Sequence, residues 1–268
     1  MCLPNKRVHL TIRHKRRKQT SYKARATNPR AIGHSLMKPK LLNLYCCAGG
    51  AGMGYSRAGF DVVGIDIKPQ PRYPFEFHQA DALEYLQKHW KDFDVIHASP
   101  PCQHASTIAK QNRTMRPGKY NHPNLIEPTR KALQETGKIY IIENVQGALL
   151  FNPVILCGSW FGLNVRRHRL FETNFPAFST PCSHHWQKPR FRSLDKRRKT
   201  LSSIVGVHGH INYSGEFLLR QTAMGIDWMS PDELSQAIPP AYTEWLGALA
   251  ITCLTPRVPD AGDSGENN

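Results

Sequence analysis

The chain has 268 residues, 40% of them hydrophobic, with 36 Lys+Arg against 20 Asp+Glu and a formal charge of +16. That is enough apolar material for a core in one or two domains, and 19 glycines and 20 prolines exclude a collagen-like or low-complexity chain. No stretch approaches the roughly 18 apolar residues that span a bilayer, the N-terminus lacks the apolar run of a secretory signal, and seven irregularly spaced cysteines fit free thiols in a reducing cytoplasm better than a disulfide framework.

Residues 1–38 are polar and without apolar periodicity, which predicts a disordered N-terminal extension. Ten basic residues precede Ser35, whereas the first acidic residue of the chain is Asp61. Met37-Lys38-Pro39-Lys40 then leads into a strand-like run as a natural start would, so the extension is either a nucleic-acid-binding arm or an upstream stretch of the reading frame. Leu41–Cys46 predicts a buried strand, followed by a Gly-rich turn and a helix near Gly52–Ala58. Asp61–Ile67 predicts a second strand, Ala82–Trp90 a helix, and Phe93–Ala98 a third strand that ends at Ser99-Pro100-Pro101-Cys102. After a polar loop through Asn121 come a helix around Leu125–Glu135 and a strand at Lys138–Glu143. Apolar strands alternating with helices predict an α/β, Rossmann-like fold with a mostly parallel sheet covered on both faces. No internal repeat is present.

The core on this reading runs over 39–173, and a short basic region over 174–220 follows it. In its run 188–199, Lys188, Arg190, Arg192, Lys196, Arg197, Arg198 and Lys199 face a single acid, Asp195. The six net charges of that run and the ten before Ser35 account for the whole excess, so the remainder of the chain is neutral. Two basic segments on a neutral body point to a polyanion, with nucleic acid first among candidates; the plainer alternative is a solvated tail and a solvated loop. Residues 221–254 return to apolar patterning, and the polar stretch 255–268 is expected to fray.

Three places carry chemistry. The first turn, Tyr45-Cys46-Cys47-Ala48-Gly49-Gly50-Ala51-Gly52-Met53-Gly54, has glycines at the carboxyl end of a strand. It serves either close approach to a nucleotide-like ligand or the turn itself. Asp66, seventeen residues after Gly49, sits where an acid meets ribose hydroxyls in dinucleotide folds. Asp81 precedes a helix and either caps it or accepts from an adenine amino group. The sharpest feature is Ser99-Pro100-Pro101-Cys102-Gln103: two rigid prolines aim a thiol at a strand end, and cysteine is the strongest side-chain nucleophile near neutral pH. Glu143-Asn144-Val145 ends the next strand and should share that edge. A thiol and a carboxyl together suit addition to a ring whose nitrogen the acid engages.

With Arg167-His168-Arg169-Leu170-Phe171 and Gln236-Ala237-Ile238-Pro239-Pro240-Ala241-Tyr242, these motifs resemble, in order and spacing, the DNA cytosine-5 methyltransferases, and the compact build resembles their short phage and bacterial members. The resemblance spans about residues 40–252. It implies a Rossmann-like S-adenosylmethionine-dependent methyltransferase fold with a small target-recognition region at 174–220, and a C-terminal motif that folds back to the cofactor. It further implies S-adenosylmethionine over the first turn at Tyr45, Ala48, Gly49 and Gly50, with Asp66 and Ile67 at the ribose, Asp81 and Ala82 at adenine, and Pro100 beside the ligand. A cytosine flipped from duplex DNA would meet Cys102 at carbon 6, Glu143 at N3 and the exocyclic amine, and Arg169, supported by Arg167, at O2. Lys110, Arg113, Arg116 and Lys119 would belong to a loop closing over DNA, and Lys196, Arg197 and Arg198 to phosphate contacts.

The sequence departs from the family at three places: Asn43 stands where Asp is usual, Cys46-Cys47 replace smaller residues, and Val165 replaces a Gln. Cys157, Cys182, His184 and His185 offer zinc-type ligands, but with no CxxC pair they read as ordinary core and surface residues, and no metal is expected. The expectation is a monomeric cytoplasmic enzyme of a bacterial or phage-infected cell acting on double-stranded DNA, without membrane contact, with a cognate restriction endonuclease an open partner. The same chemistry on RNA, or a non-catalytic DNA-binding homologue, are the alternatives.

Overall fold

The computed structural model describes residues 37–101, 124–185, 187, 204–207 and 214–254. The described residues fall within one compact unit, Leu36–Asn268. Strands β1 (Lys40–Leu44), β2 (Asp61–Asp66), β3 (Glu76–Gln79), β4 (Val95–Ala98), β5 (Ile139–Asn144), β6 (Val154–Leu156) and β7 (Arg169–Thr173) form one sheet. Its order is β3-β2-β1-β4-β5-β7-β6. The first five strands pair in parallel, and β7 runs antiparallel to both β5 and β6. The fold is therefore α/β and Rossmann-like, with a mostly parallel sheet.

Alternation along each strand divides the core. Leu41, Val62, Val95, Ile141 and Phe171 face one side. There they pack against Tyr55 of α1 (Gly50–Ala58) and Tyr242, Leu246 and Ala250 of α6 (Pro240–Thr252). Leu42, Leu44, Val63, Ile65, Ile96 and Ile142 face the other, under α2 (Ala82–His89) and α3 (Ile126–Thr136). A third cluster joins Ala48 and Val165 to α4 (Ser214–Met224) and α5 (Pro231–Gln236) through Met224 and Leu234. Helix α4 crosses residue 220, the border expected between recognition region and C-terminal motif.

Local chemistry sets the helix ends. Asp81 caps α2 by accepting from Leu83 N and Glu84 N, and Ser230 with Glu233 forms a capping box on α5. Helix α1 packs closely on α6: a Cβ on Gly54 would lie 2.1 Å from the Pro240 carbonyl, so only glycine fits.

The sequence-predicted helices and strands of the amino-terminal half are all present within one or two residues at their ends. The edge strand β3 and the β6–β7 pair were not anticipated. Glu76–Gln79 is polar and mostly exposed, and β6 has three residues, so neither shows the apolar run expected of a buried strand. No helix among the described residues is long and apolar enough to cross a membrane.

Candidate active site

Progression through the sheet reverses between β1 and β4, and an open α/β sheet binds its ligands at the carboxyl ends of strands beside such a switch point. Register fixes what lies there. Ile65, Leu44, Ala98 and Ile142 form one row across β2, β1, β4 and β5. The residue after each in sequence is Asp66, Tyr45, Ser99 and Glu143. Both candidate carboxylates thus stand on one edge with the Ser99–Pro101 segment between them.

Glu143 is buried, and its Oε1 lies 3.0 Å from Arg169 Nε at the start of the neighbouring β7. Burial lifts its carboxyl above the ordinary value; Arg169, a hydrogen bond from Ser99 and the more distant Arg167 pull it partway back. Behind Ser99 lies a buried chain: Ser99 Oγ is 2.9 Å from His97 Nε2, and His97 Nδ1 is 2.9 Å from the Tyr55 hydroxyl. Burial lowers the His97 pKa to about 3, so the ring is neutral. One direction satisfies every partner: Tyr55 donates to Nδ1, Nε2–H donates to Ser99, and Ser99 donates to the carboxylate. Sequence reasoning missed this relay, since an apolar run such as Phe93–Ala98 gives no reason to single out its histidine.

Two further bonds steady the same corner. Asn144 Nδ2 donates to the Pro100 carbonyl at 2.9 Å, tying the strand-end asparagine to the double proline. Arg130 of α3 grips buried Glu172 of β7 through Nε and Nη2 at 2.8 and 2.9 Å, and also donates to the Leu149 carbonyl at 2.9 Å. The loop that follows Glu143 is thereby fastened to the helix layer.

On the other side of the switch point the first turn is strained: Tyr45, Cys47 and Gly49 have φ of 55°, 45° and 86°. Asp66 holds it by accepting from Cys47 N and Lys68 N, each at 3.0 Å. The Tyr45 hydroxyl lies 3.1 Å from Thr129 Oγ1. The C-terminal segment folds over this turn: Trp228 Nε1 donates to the Ala48 carbonyl at 2.9 Å, and a Cβ on Gly50 would meet the Ile238 carbonyl at 2.6 Å. Gly50 thus makes room for the chain's own backbone. Ile67 is 67% exposed beside Asp66, Ala82 is buried in the core, and Asp81 takes the helix-cap role that its position left open. Asn43 donates to the Tyr73 hydroxyl at 3.2 Å. Burial and the Asp66 carboxylate push the Cys46 thiol far above its ordinary range, which disfavours its thiolate.

Residues 40–155 match the family described as C-5 cytosine-specific DNA methylase. The matched segment is less than half of the chain. It contains the first turn, Asp66, Asp81, the Pro100–Cys102 motif and Glu143. Among solved structures the chain is similar to a DNA modification methyltransferase encoded within an E. coli prophage, at 21% identity over 50% of this chain and 45% of that one, with a TM-score of 0.37. It is also similar to Dnmt2 methyltransferase of S. pombe, at 15% identity over 81% and 100% of the two chains and a TM-score of 0.48. Similarity to Spodoptera frugiperda DNMT2 has 22% identity over 50% and 48%, with a TM-score of 0.38. The match spans about half the length of the E. coli and Spodoptera proteins. No curated protein sequence matches the chain.

Beyond the matched segment, the Arg167–Phe171 stretch divides its two arginines. Arg169 pairs with Glu143, and its Nη1 donates to the His168 carbonyl at 2.9 Å. Arg167 is buried and donates to the carbonyls of Val207 and Ser235 at 3.1 and 2.7 Å, bracing the start of the C-terminal motif. Where Val165 replaces the usual glutamine, Gln187 arrives from farther along the chain, its amide donating to the carbonyls of Leu163 and Val165 at 2.7 and 3.3 Å. Cys102, the loop residues Lys110, Arg113 and Arg116, and the basic residues Lys196, Arg197 and Arg198 lie outside the described residues.

Proposed function

We propose that the protein methylates carbon 5 of a flipped cytosine in double-stranded DNA, using S-adenosylmethionine and a covalent adduct to Cys102. What carries the reading is Glu143: a buried carboxyl of raised pKa, locked between Arg169 and Ser99 on the strand end next to the Pro-Pro-Cys segment. A buried acid held in this way beside the Pro-Pro-Cys segment suits engagement of a ring nitrogen.

The residues present fit the cofactor. Asp66 keeps acceptor capacity beyond its two amide bonds for ribose hydroxyls, Ile67 offers an exposed apolar face, and adenine would meet Tyr45 and the Asp81 oxygen that does not cap α2. The chemistry it supplies when bound is a sulfonium-borne methyl group, an electrophile for an activated carbon. The chain's own residues supply the activation. Cys102 thiolate adds to carbon 6 while Glu143 holds N3 and the exocyclic amine, so electron density moves onto carbon 5. On this reading Arg169 serves the ring O2, and its pairing with Glu143 keeps the carboxyl aimed. Loss of the carbon-5 proton and expulsion of the Cys102 thiolate restore the aromatic ring and the enzyme.

The test is tritiated methyl transfer from S-adenosylmethionine to duplex DNA and to tRNA in parallel, followed by bisulfite sequencing of labelled DNA. Label at cytosines of the duplex is expected. Label confined to tRNA would move the same chemistry to RNA, and label on neither would leave a non-catalytic homologue.

A further inference from the structure

Two thiols and two imidazoles converge where β6 ends and β7 begins. Cys157 follows β6, His168 directly precedes β7, and Cys182 and His184 lie on the segment that leaves the sheet toward the second basic run. One donor atom from each of the four lies within 4.8 Å of all the others. Cys157 Sγ is 3.3 Å from His184 Nε2, and Cys182 Sγ is 3.3 Å from His168 Nε2. A tetrahedral zinc ion, at about 2.3 Å from sulfur and about 2.0–2.1 Å from nitrogen, sets its sulfur and nitrogen ligands about 3.5 Å apart. Two of the cluster's four sulfur–nitrogen edges, at 3.3 Å, come within a few tenths of an ångström of that length.

Weak thiol hydrogen bonds give little reason for four such groups to meet from three separate segments. The surroundings are those of ligands held in place. Ser159 Oγ donates to Cys157 Sγ at 3.3 Å, and Arg166 Nη2 donates to the carbonyls of His184 and Gln187 at 3.3 and 2.7 Å. Gln187 N closes a turn onto the His184 carbonyl at 3.1 Å.

We propose that Cys157, His168, Cys182 and His184 bind one zinc ion in a closed Cys2His2 site. Two soft thiolates and two imidazoles in tetrahedral array select zinc over the oxygen-seeking cations. Binding displaces both thiol protons to solvent and forms two zinc–sulfur and two zinc–nitrogen bonds, with no redox change and a neutral site. Four protein ligands leave no position for a reactive water, so the ion is structural. It clamps the first residues of the recognition region to the sheet. It also fixes His168, whose carbonyl accepts from the Arg169 guanidinium that holds Glu143. The ligand set differs from the one the sequence offered: His185 bonds the Ser183 hydroxyl, and His168 takes its place.

The test is metal content of the full-length protein, purified without chelator and measured by plasma mass spectrometry. One zinc per chain is expected. Cys182→Ser and His184→Ala should each weaken retention against a chromophoric chelator by at least about tenfold, Cys182→His should restore much of it, and His185→Ala should keep the full equivalent. Because a variant can lose metal by misfolding, the wild-type apoprotein is also titrated with cobalt, which should develop the visible bands of a tetrahedral site and thiolate charge-transfer absorption. A chain that carries no zinc and takes up no cobalt overturns the proposal. So does a Cys157–Cys182 disulfide in the intact mass, or metal loss in His185→Ala equal to that in His184→Ala.

Discussion

Asp66 and Glu143 stand in the same row of one sheet edge, yet the chain holds them by opposite means. Asp66 accepts from backbone amides of the strained turn and of Lys68, groups that have no alternative arrangement once the turn has formed. Glu143 is held by side chains, Arg169 on one flank and the Ser99–His97–Tyr55 relay on the other, and burial raises its pKa. Backbone partners suit a carboxylate that binds a ligand unchanged through a reaction. Side-chain partners in a buried site suit an acid whose bonds and proton must shift as charge develops on a ring.

The comparison breaks most visibly at Glu143 itself. Glu143→Gln should lower kcat by about 10²–10³-fold, the usual cost of removing one group that stabilises developing charge, while calorimetry finds cofactor affinity unchanged. The same variant has a stability signature of the opposite sense. With a folded pKa above the unfolded value, the wild-type carboxyl favours the folded state at low pH. That advantage is lost as pH rises from the ordinary carboxylate range through the raised value. Urea melts should therefore show Glu143→Gln gaining on wild type as pH rises across that window.

Asp66→Ala tests the other carboxylate and should act on binding. A loss of about 1–3 kcal/mol in S-adenosylmethionine affinity is expected from leaving its partners unsatisfied, with kcat at saturation nearly unchanged. A loss confined to kcat would erase the distinction. Arg169→Gln removes the cation that opposes the effect of burial on Glu143, so the carboxyl should titrate at still higher pH. Carbon-13 NMR of labelled glutamate would read the direction, and a downward shift would show that Arg169 does not control Glu143. The smallest effect belongs to the far end of the relay: Tyr55→Phe should cost about 1 kcal/mol of stability and only a modest part of kcat, since Ser99 still reaches Glu143.

The amino-terminal half of the fold was legible because its strands are apolar runs separated by helix signals, and parallel strands put their loaded ends on one edge. Pro100, Asp66 and Glu143 follow from that topology alone. The rest was hidden for physical reasons. Strand β7 is antiparallel, and although the resemblance singles out Arg169, its pairing with Glu143 joins residues distant in sequence. His97 reads as one polar interruption in a buried strand until Tyr55 and Ser99 are seen beside it. Glycines 50 and 54 lie in a stretch that reads equally as room for a ligand or as a turn, and neither reading shows that the C-terminal segment packs against them. The Cys157–His184 cluster is assembled from three segments with no CxxC pair to announce it.

The central claim, a ring attacked by Cys102 while Glu143 holds it, is tested most directly by a duplex carrying 5-fluorocytosine in place of cytosine. Fluorine at carbon 5 replaces the proton whose loss would free the enzyme, so the reaction should stop at the covalent adduct. In the presence of S-adenosylmethionine, peptide mapping should place the modified base on Cys102, with one methyl group added, and Cys102→Ser should form no adduct while still binding cofactor. An adduct on Cys47 or Cys157, or adduct formation that survives Cys102→Ser, would contradict the account.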